Sequence, residues 1–172
     1  MSFLSKLRQR WRGAGAAPPP RLQPRQILLA GLGGGTALLV VGLLAAASGM
    51  PLILGSLGAS CVLVFGFPDG PFSQPRAVIG GHLLASAVGL AVLHLGGDGP
   101  LGLAIATGGA IAGMMLLRVV HPPAGSNPVI IYLLHPSWQF LLTPTLIGAV
   151  LIVIVALLFI NATRANRYPQ YW

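Results

Sequence analysis

The chain has 172 residues, of which 55% are hydrophobic and only 7% charged, and its ten basic and two acidic side chains give a net charge of +8. A soluble globular domain carries roughly a quarter charged residues, so this composition excludes one. A membrane β-barrel is also excluded, because segments such as 27–47 and 145–160 are continuously apolar and do not alternate in polarity. The composition predicts an all-α integral membrane protein whose main partner is the lipid bilayer.

Residues 1–25 form a basic, proline-rich segment that precedes the first apolar stretch. Six of the ten basic residues lie here: Lys6, Arg8, Arg10, Arg12, Arg21 and Arg25. Their position fits the excess of basic residues in cytoplasmic segments better than it fits nucleic-acid binding. The segment lacks a continuous apolar region of signal-peptide length, so we interpret it as a retained cytoplasmic tail that is attracted to anionic lipid.

Four long apolar segments follow, at 27–47, 77–95, 101–120 and 141–160. Each is near the length of about 20 residues that a helix needs to cross a bilayer. Two shorter segments, 51–67 and 121–135, are apolar only in their second halves, and their first halves carry glycine, proline and small polar residues. Each of them is either a re-entrant loop or a broken crossing.

The arginines favour six crossings over four. If both short segments cross, Arg76, Arg118, Arg164 and Arg167 share the side of the basic tail, as the positive-inside rule expects. Both termini are then cytoplasmic, and residues 26–162 form the transmembrane domain between the tails 1–25 and 163–172. The expected location is a bacterial inner membrane.

The two short segments resemble each other. GASCVLVFGFP at 58–68, laid over GSNPVIIYLLHP at 125–136, aligns a glycine, a small polar pair, an apolar core and a closing proline with one gap. PRAVIGG at 75–81 likewise matches PTLIGAV at 144–150. Three crossings per half would give the halves opposite orientations, which is the inverted-repeat plan of many secondary transporters. Chance matching of small and apolar residues is the alternative.

The stretch VVHPPAGSNP at 119–128 interrupts strongly apolar sequence. Proline lacks an amide hydrogen and clashes with the preceding turn, so residues 121–123 are expected to end the helix that begins at Leu101. Irregular backbone at membrane depth is tolerated only where it is buried in protein or lines a water-filled cavity. Ser126 or Asn127 is predicted to cap the next short helix, whose N-terminal end would attract anions.

These motifs resemble a known family. HPPAGSNP at 121–128 resembles the signature of the HPP family of integral membrane proteins, and FGFPDGPFSQPRAVIGGHLL at 65–84 resembles that family's second characteristic block. The resemblance covers about 26–160 and implies a domain that is usually described with four transmembrane helices, against the six predicted above. Plant and cyanobacterial members are associated with nitrite transport, so the resemblance implies an anion carrier.

The two motifs supply the candidate substrate-binding residues. Ionisable groups inside membrane segments are costly, so their placement needs a reason. Arg118 and His121 are three apart on one predicted helix face, while Arg76 and His82 flank the start of the third crossing. The full set that we predict to bind the anion is Ser60, Gln74, Arg76, His82, Arg118, His121, Pro122, Pro123, Gly125 and Asn127.

Each charged or histidine candidate also has a purely structural alternative. Arg76, with Asp69 as a nearby partner, and Arg118 are also suited to anchor the chain at the lipid headgroups. His82 is also explained by a hydrogen bond to neighbouring backbone, and His121 by a cap at the break.

No enzymatic activity is expected, since both carboxylates lie in predicted loops and no catalytic or phosphate-binding motif is present. No cofactor is expected, and scattered histidines give a metal site little support. Small residues spaced by four, such as Gly31 and Gly35, are compatible with packing inside the chain or with a homo-oligomer.

The sequence therefore predicts a transporter of a small, nitrite-like inorganic anion, at the junction of two inverted halves. The alternative is a non-transporting scaffold or assembly subunit. A polar cavity that reaches the break would favour transport, whereas a break filled by side chains would favour the scaffold.

Overall fold

The computed structural model describes residue 11 and residues 15–172, so most of the predicted basic tail lies outside the described residues. Residues 15–172 fold into six α-helices joined by short 3-10 and π turns, and contain no β-strand. The helices are α1 (Pro24–Ser48), α2 (Gly55–Gly66), α3 (Pro75–His94), α4 (Gly99–Leu116), α5 (Asn127–Leu134) and α6 (Ile147–Thr163).

The predicted all-α membrane bundle is confirmed. Four helical runs are long and apolar enough to cross a bilayer, and the last of them joins two short turns to α6: Pro24–Ser48, Pro75–His94, Gly99–Leu116 and Trp138–Thr163. A proline occupies the first or second position of α1, α3, α4 and α5, where its missing amide hydrogen leaves no intrahelical bond unmade.

The second short segment runs the length of the bundle alongside α3. Val119 packs on Gly80 in the second turn of α3, Asn127 donates to Ser86 near its middle, and the Tyr132 hydroxyl donates to the Gly97 carbonyl beyond its end. A 3-10 turn at Pro122–Ser126 and the 8-residue α5 cover this path. The segment is therefore a broken crossing and not a re-entrant loop.

The first short segment crosses in the same way, as extended backbone followed by a helix. Leu52 and Leu57 lie against Gly148 in the first turn of α6, and Phe65 makes an edge-on contact with Phe159 near the other end of α6. The chain thus passes through the bundle six times, as predicted. The count of four from the resemblance matches the long helical runs alone.

The end of α4 differs from the prediction. The helix stops at Leu116, before the prolines, because Arg118 adopts a left-handed conformation with φ of 56°. The amide of Val119 bonds to the carbonyl of Met114, and that of Arg118 to the carbonyl of Met115, which is a Schellman cap. Arg118 and His121 are therefore not on one helix face, and that prediction was wrong.

The two halves make equivalent packing contacts. In the first half α1 packs on α2 and on α6, and in the second half α4 packs on α5 and on α3, while α3 and α6 meet each other. Exchanging α1–α3 with α4–α6 leaves this set of contacts unchanged. It is the arrangement that two inverted three-helix halves predict.

The described arginines of the helix ends gather at one end of the bundle, which we call the basic end. Arg25 reaches the Thr163 carbonyl at 3.5 Å, and Arg76 reaches the Leu117 carbonyl at 3.4 Å. Arg164 forms an ion pair with Asp69 at 2.7 Å, so the predicted pairing of Asp69 with Arg76 was wrong. The predicted common side of the arginines is confirmed, and the assignment of that side to the cytoplasm stays a prediction.

The opposite end carries the other carboxylate. Asp98 is the N-cap of α4 and accepts a hydrogen bond of 2.7 Å from the Gly99 amide. This bond, and then the neighbouring His135, hold the pKa of the Asp98 carboxyl below its usual range. Both carboxylates therefore lie at the ends of the bundle, and neither enters its interior.

Residues after α6 fold back over the turn between α2 and α3. Asn161 donates to the Tyr168 carbonyl at 2.7 Å and accepts from the Tyr168 amide at 2.9 Å. The buried Tyr168 hydroxyl donates to the Ser73 carbonyl, and burial raises the pKa of this phenol above its usual range. The tail thus holds the basic end of α3 in place.

Gly81→Ala is expected to destabilise the fold, because an added Cβ would lie 2.8 Å from the Cβ of His121 and 2.9 Å from the Val119 carbonyl oxygen. Overpacking of this kind costs about 1–3 kcal/mol. Thermal unfolding in detergent should show a lower Tm than wild type. Gly108→Ala is the matched control, since no atom lies within 4 Å of its added Cβ, and equal Tm values for the two variants would contradict the predicted close approach.

Asn161→Ala is expected to release the tail, because it removes both hydrogen bonds to Tyr168, each worth about 1 kcal/mol. Hydrogen exchange at the Tyr168 amide should become faster while exchange within α3 and α4 stays slow. Asn166→Ala, at an exposed position of the same tail, serves as the control. Unchanged exchange at Tyr168 would show that other contacts hold the tail.

Candidate functional site

Three side chains from three different elements meet in the interior of the bundle. The Ser60 hydroxyl of α2 lies 2.9 Å from Nε2 of His82 on α3 and 2.8 Å from Nε2 of His121 in the break. The same hydroxyl lies 2.9 Å from the Ser56 carbonyl oxygen one helical turn earlier. One oxygen atom therefore bridges two imidazole rings whose centroids are 5.1 Å apart.

Further polar side chains extend this bridge. The Asn127 amide nitrogen lies 3.1 Å from Nδ1 of His82 and donates to the Ser86 hydroxyl at 2.8 Å. The Ser86 hydroxyl in turn lies 3.1 Å from the Thr145 hydroxyl. We call the whole set the central network, and its six side chains are Ser60, His82, Ser86, His121, Asn127 and Thr145.

The close approach of the break to α3 depends on glycine. The helix face that receives His121 carries Gly80 and Gly81, so the backbone at Val119 and His121 can approach within contact distance of α3. The ring of His121 is then held on its far side by the Phe72 carbonyl oxygen, 2.6 Å from Nδ1. A larger residue at position 81 would push the ring away from Ser60.

Hydrogen-bonding partners assign the protons of the two rings. A carbonyl oxygen only accepts, so Nδ1 of His121 carries a proton that it donates to Phe72. An amide nitrogen only donates, so Nδ1 of His82 accepts from Asn127 and the proton of a neutral His82 is on Nε2. His82 then donates to the Ser60 oxygen. This assignment rests on the orientation of the Asn127 amide.

The central network is enclosed by protein. Each of its six side chains has 0% of its surface exposed. Two buried side-chain atoms have no hydrogen-bond partner among the described residues. They are the Ser56 hydroxyl oxygen and the side-chain amide oxygen of Asn127. Since an unpaired buried polar group costs about 1–3 kcal/mol, a small polar ligand that bonded to either atom would be stabilised.

Grooves lie at both ends of the bundle. One, of about 330 Å³ at the basic end, is lined by Phe65, Asp69, Gly70 and Arg164 among others. The other, also about 330 Å³, lies at the opposite end and includes Leu54, Thr143 and Pro144. Neither is lined by a residue of the central network. The polar cavity that was expected to reach the break is therefore replaced in this conformation by packed side chains.

Four of the ten predicted site residues belong to the central network, namely Ser60, His82, His121 and Asn127. Asn127 is the first residue of α5, and its side chain bonds across to α3 and does not cap its own helix. Ser126 does not cap α5 either, because its hydroxyl donates to the Pro123 carbonyl. Capping of α5 by these two residues was therefore predicted incorrectly.

The two predicted arginines lie outside the network. Arg76 and Arg118 are exposed at the basic end, where the Schellman cap and the first turn of α3 hold them. Pro122 is exposed, and Pro123 and Gly125 are half-buried in the 3-10 turn. These residues shape the break, and their side chains make no hydrogen bond to the central network.

Gln74 is fully buried but its position is structural. Its amide nitrogen donates to the carbonyls of Pro68 and Gly70, and its amide oxygen accepts from the Gln170 amide. All of these partners belong to the turn before α3 or to the C-terminal tail. Gln74 thus ties those two segments together at the basic end.

Sequence reasoning missed Ser56, Ser86 and Thr145. Ser86 follows His82 by four residues on α3, so both project from one helix face in an otherwise apolar segment. That spacing was a usable signal for Ser86. Thr145 had no comparable signal, because its partner is 59 residues away in the chain.

The side chains of the central network are hydrogen-bond donors and acceptors. Among the described residues, no three His, Cys, Asp or Glu side chains come together as a potential metal site. Two imidazoles, an amide and three hydroxyls offer donors and acceptors that hold no permanent charge when the rings are neutral.

Comparison with known proteins identifies the family of this chain. The model of the HPP transmembrane region matches residues 19–169. A Dictyostelium discoideum transmembrane protein is 31% identical over 95% of this chain and 62% of its own length, and a second one is 31% identical over 70% of this chain and 41% of its own length. The chain thus spans less than two thirds of either relative. No solved structure matches. The chain belongs to the HPP family of transmembrane proteins.

Proposed function

We propose that the protein transports a small inorganic anion, nitrite-like in size and charge, and that the substrate passes through the central network. The observation that carries this proposal is an enclosed set of six hydrogen-bonded polar side chains at the place where both broken crossings meet α3. In many transporters, discontinuous helices at the middle of the membrane form the substrate site.

A purely structural role explains the network less well. Apolar side chains of similar volume would pack at this depth without the desolvation cost of polar groups. A hydrogen bond between transmembrane helices stabilises the fold by only about 0.6 kcal/mol on average. This is small compared with the cost of burying the polar groups of six side chains. Polar residues inside membrane segments are accordingly a functional signal.

The interior favours an anion over a cation. Asp69 and Asp98, the chain's two carboxylates, lie at the ends of the bundle, so no acidic side chain faces the central network. The 12-residue α2 begins at the exposed Gly55, has no side-chain cap, and is buried on one face from Ser56 onward. Its N-terminal end carries a partial positive charge, and the unpaired Ser56 hydroxyl, 2% exposed, lies in its first turn.

These observations support an anion subsite at the start of α2, beside Ser56 and the bridge at Ser60. Plant and cyanobacterial members of the family are associated with nitrite, which fits a compact monoanion that accepts hydrogen bonds. The enclosed network then represents a closed state. In the transport cycle it opens toward one groove at a time, through Gly70 and Phe72 at the basic end or through Thr143 and Pro144 at the opposite end.

The second candidate function is a membrane scaffold or assembly subunit without transport. One observation favours it: the network has no exposed surface, and side chains fill the break. A scaffold of this kind would use the network to hold the two halves in one register.

Downhill uptake into proteoliposomes separates the two candidates. Purified protein is expected to give saturable nitrite uptake above protein-free liposomes, with nitrate, chloride and formate as comparators. Ser56→Ala removes the unpaired hydroxyl and is expected to reduce uptake about tenfold, which corresponds to about 1.4 kcal/mol. Ser48→Ala, at the exposed end of α1, is the matched control.

Two further variants test the placement of the substrate. Thr145→Val keeps the side-chain shape while it removes a hydroxyl of the network, and it should also slow uptake, whereas Thr36→Val on the exposed face of α1 should not. Arg118→Gln should retain uptake if the network alone binds the anion. Absence of uptake of every anion by folded, inserted protein would reject transport and leave the scaffold.

A further inference from the structure

The central network holds no fixed positive charge that would balance a buried anion. Arg25, Arg76, Arg118 and Arg164 lie at the basic end, and the basic side chains of the interior are His82 and His121 alone among the described residues. An unpaired charge in a low-dielectric interior is strongly disfavoured. An anion that enters this interior therefore needs a proton on one of the two rings.

The contacts around the Ser60 hydroxyl can accommodate one additional proton. Three contacts surround the hydroxyl oxygen: to Nε2 of His82, to Nε2 of His121 and to the Ser56 carbonyl oxygen, at 2.9, 2.8 and 2.9 Å. Nδ1 of His121 already uses one proton to bond to the Phe72 carbonyl. With both rings neutral, at most two protons are available for the three contacts around Ser60.

One added proton completes the set. The two Nε2–H groups then donate to the two lone pairs of Ser60, and the Ser60 hydroxyl donates to the Ser56 carbonyl. This count holds for the orientation in which the Asn127 amide nitrogen faces Nδ1 of His82 and bonds to Ser86, because the proton of a neutral His82 is then on Nε2 and points to Ser60. Two added protons are disfavoured, since the ring centroids are 5.1 Å apart and like charges repel.

We propose that the His82–Ser60–His121 bridge binds one proton together with each anion, so that the protein is a proton–anion symporter. This inference rests on the proposed transport function. The proton adds to the Nε2 lone pair of His121 as the Ser60 hydroxyl rotates from that nitrogen to the Ser56 carbonyl. Loss of the same proton on the other side of the membrane reverses the rotation and restores the neutral pair.

Binding of the proton and binding of the anion favour each other electrostatically. An imidazolium alone in this site would be an uncompensated buried charge, and so would the anion alone. Together they are a neutral pair, with the anion beside the N-terminal end of α2 and the Ser56 hydroxyl. Other titratable groups on the surrounding elements are Cys61 of α2, which faces Gly34 of α1, and Tyr132 of α5, which bonds to the Gly97 carbonyl at the opposite end.

The test is uphill accumulation of nitrite driven by a pH gradient in proteoliposomes with equal nitrite on both sides. A gradient of one pH unit, acidic outside, is expected to accumulate nitrite about tenfold inside through one-to-one symport. Internal pH, followed with a trapped dye, should fall with nitrite entry. A potassium diffusion potential should not change the uptake, because the pair that crosses is neutral. Protein-free liposomes at the same gradient measure leakage of nitrous acid through the lipid.

His82→Gln and Ser60→Ala are expected to abolish accumulation above the protein-free level. His94→Gln, at the exposed end of the same helix, is the matched control and should accumulate nitrite as wild type does. A thermal unfolding midpoint for each variant shows whether it folds. If Ser60→Ala fails to fold, the dependence of wild-type uptake on membrane potential still decides the question.

The failures of the two proposals are distinguishable. Nitrite uptake that follows the membrane potential, ignores the pH gradient and leaves internal pH unchanged would overturn the symport while transport stands. Absence of any downhill uptake by folded protein would overturn the transport function, and the symport with it.

Discussion

Pairing of every backbone polar group within the protein is the constraint on which the rest of the structure depends, because a bilayer offers no water to replace a missing partner. Three stretches of the chain depart from regular helix inside the bundle: the two short crossings and the π turn at Leu142–Leu146, where Thr143 has non-helical backbone angles and is buried. The Schellman cap at Arg118 satisfies carbonyls of α4, and the amide of Ala124 bonds to the His121 carbonyl within the 3-10 turn. The extended stretch before α2 is covered by α6, against whose Gly148 Leu52 and Leu57 pack. Irregular backbone is tolerated at these places because the neighbouring helices enclose it.

The same enclosure creates the central network. Where a helix is interrupted, side chains from neighbouring elements can converge on one point, which regular parallel helices do not allow as readily. Ser60, His82 and His121 come from α2, α3 and the break, and they meet within hydrogen-bond distance. The glycines at positions 80 and 81 remove the side chains that would otherwise separate α3 from the break. Polar chemistry and irregular backbone are therefore two consequences of one packing arrangement.

The two halves share a scaffold but differ in chemistry. In the alignment of the short segments, Ser60 corresponds to Asn127, and both side chains contact His82. The positions that correspond to His82 and His121 are Leu151 and Leu54, so the counterparts of both histidines are apolar. Among the described residues, the bridge of two histidines through a serine occurs once. This asymmetry fits a single site that is built from side chains of both halves, with the repeated architecture supplying the broken crossings.

Hydropathy and the positions of proline and arginine were enough to determine the membrane class, the four long helical runs, the two broken crossings and the gathering of arginines at one end. These features depend on short stretches of chain, because the length of an apolar run and the effect of proline are local. His82, His121, Ser60 and Asn127 also stood out locally, as polar residues in or beside the two motifs. Tertiary structure decided the rest of the site. The partners of Ser60 lie 22 and 61 residues away in the chain. Such pairings are set by how helices pack, and neither spacing nor hydropathy along the chain contains that information.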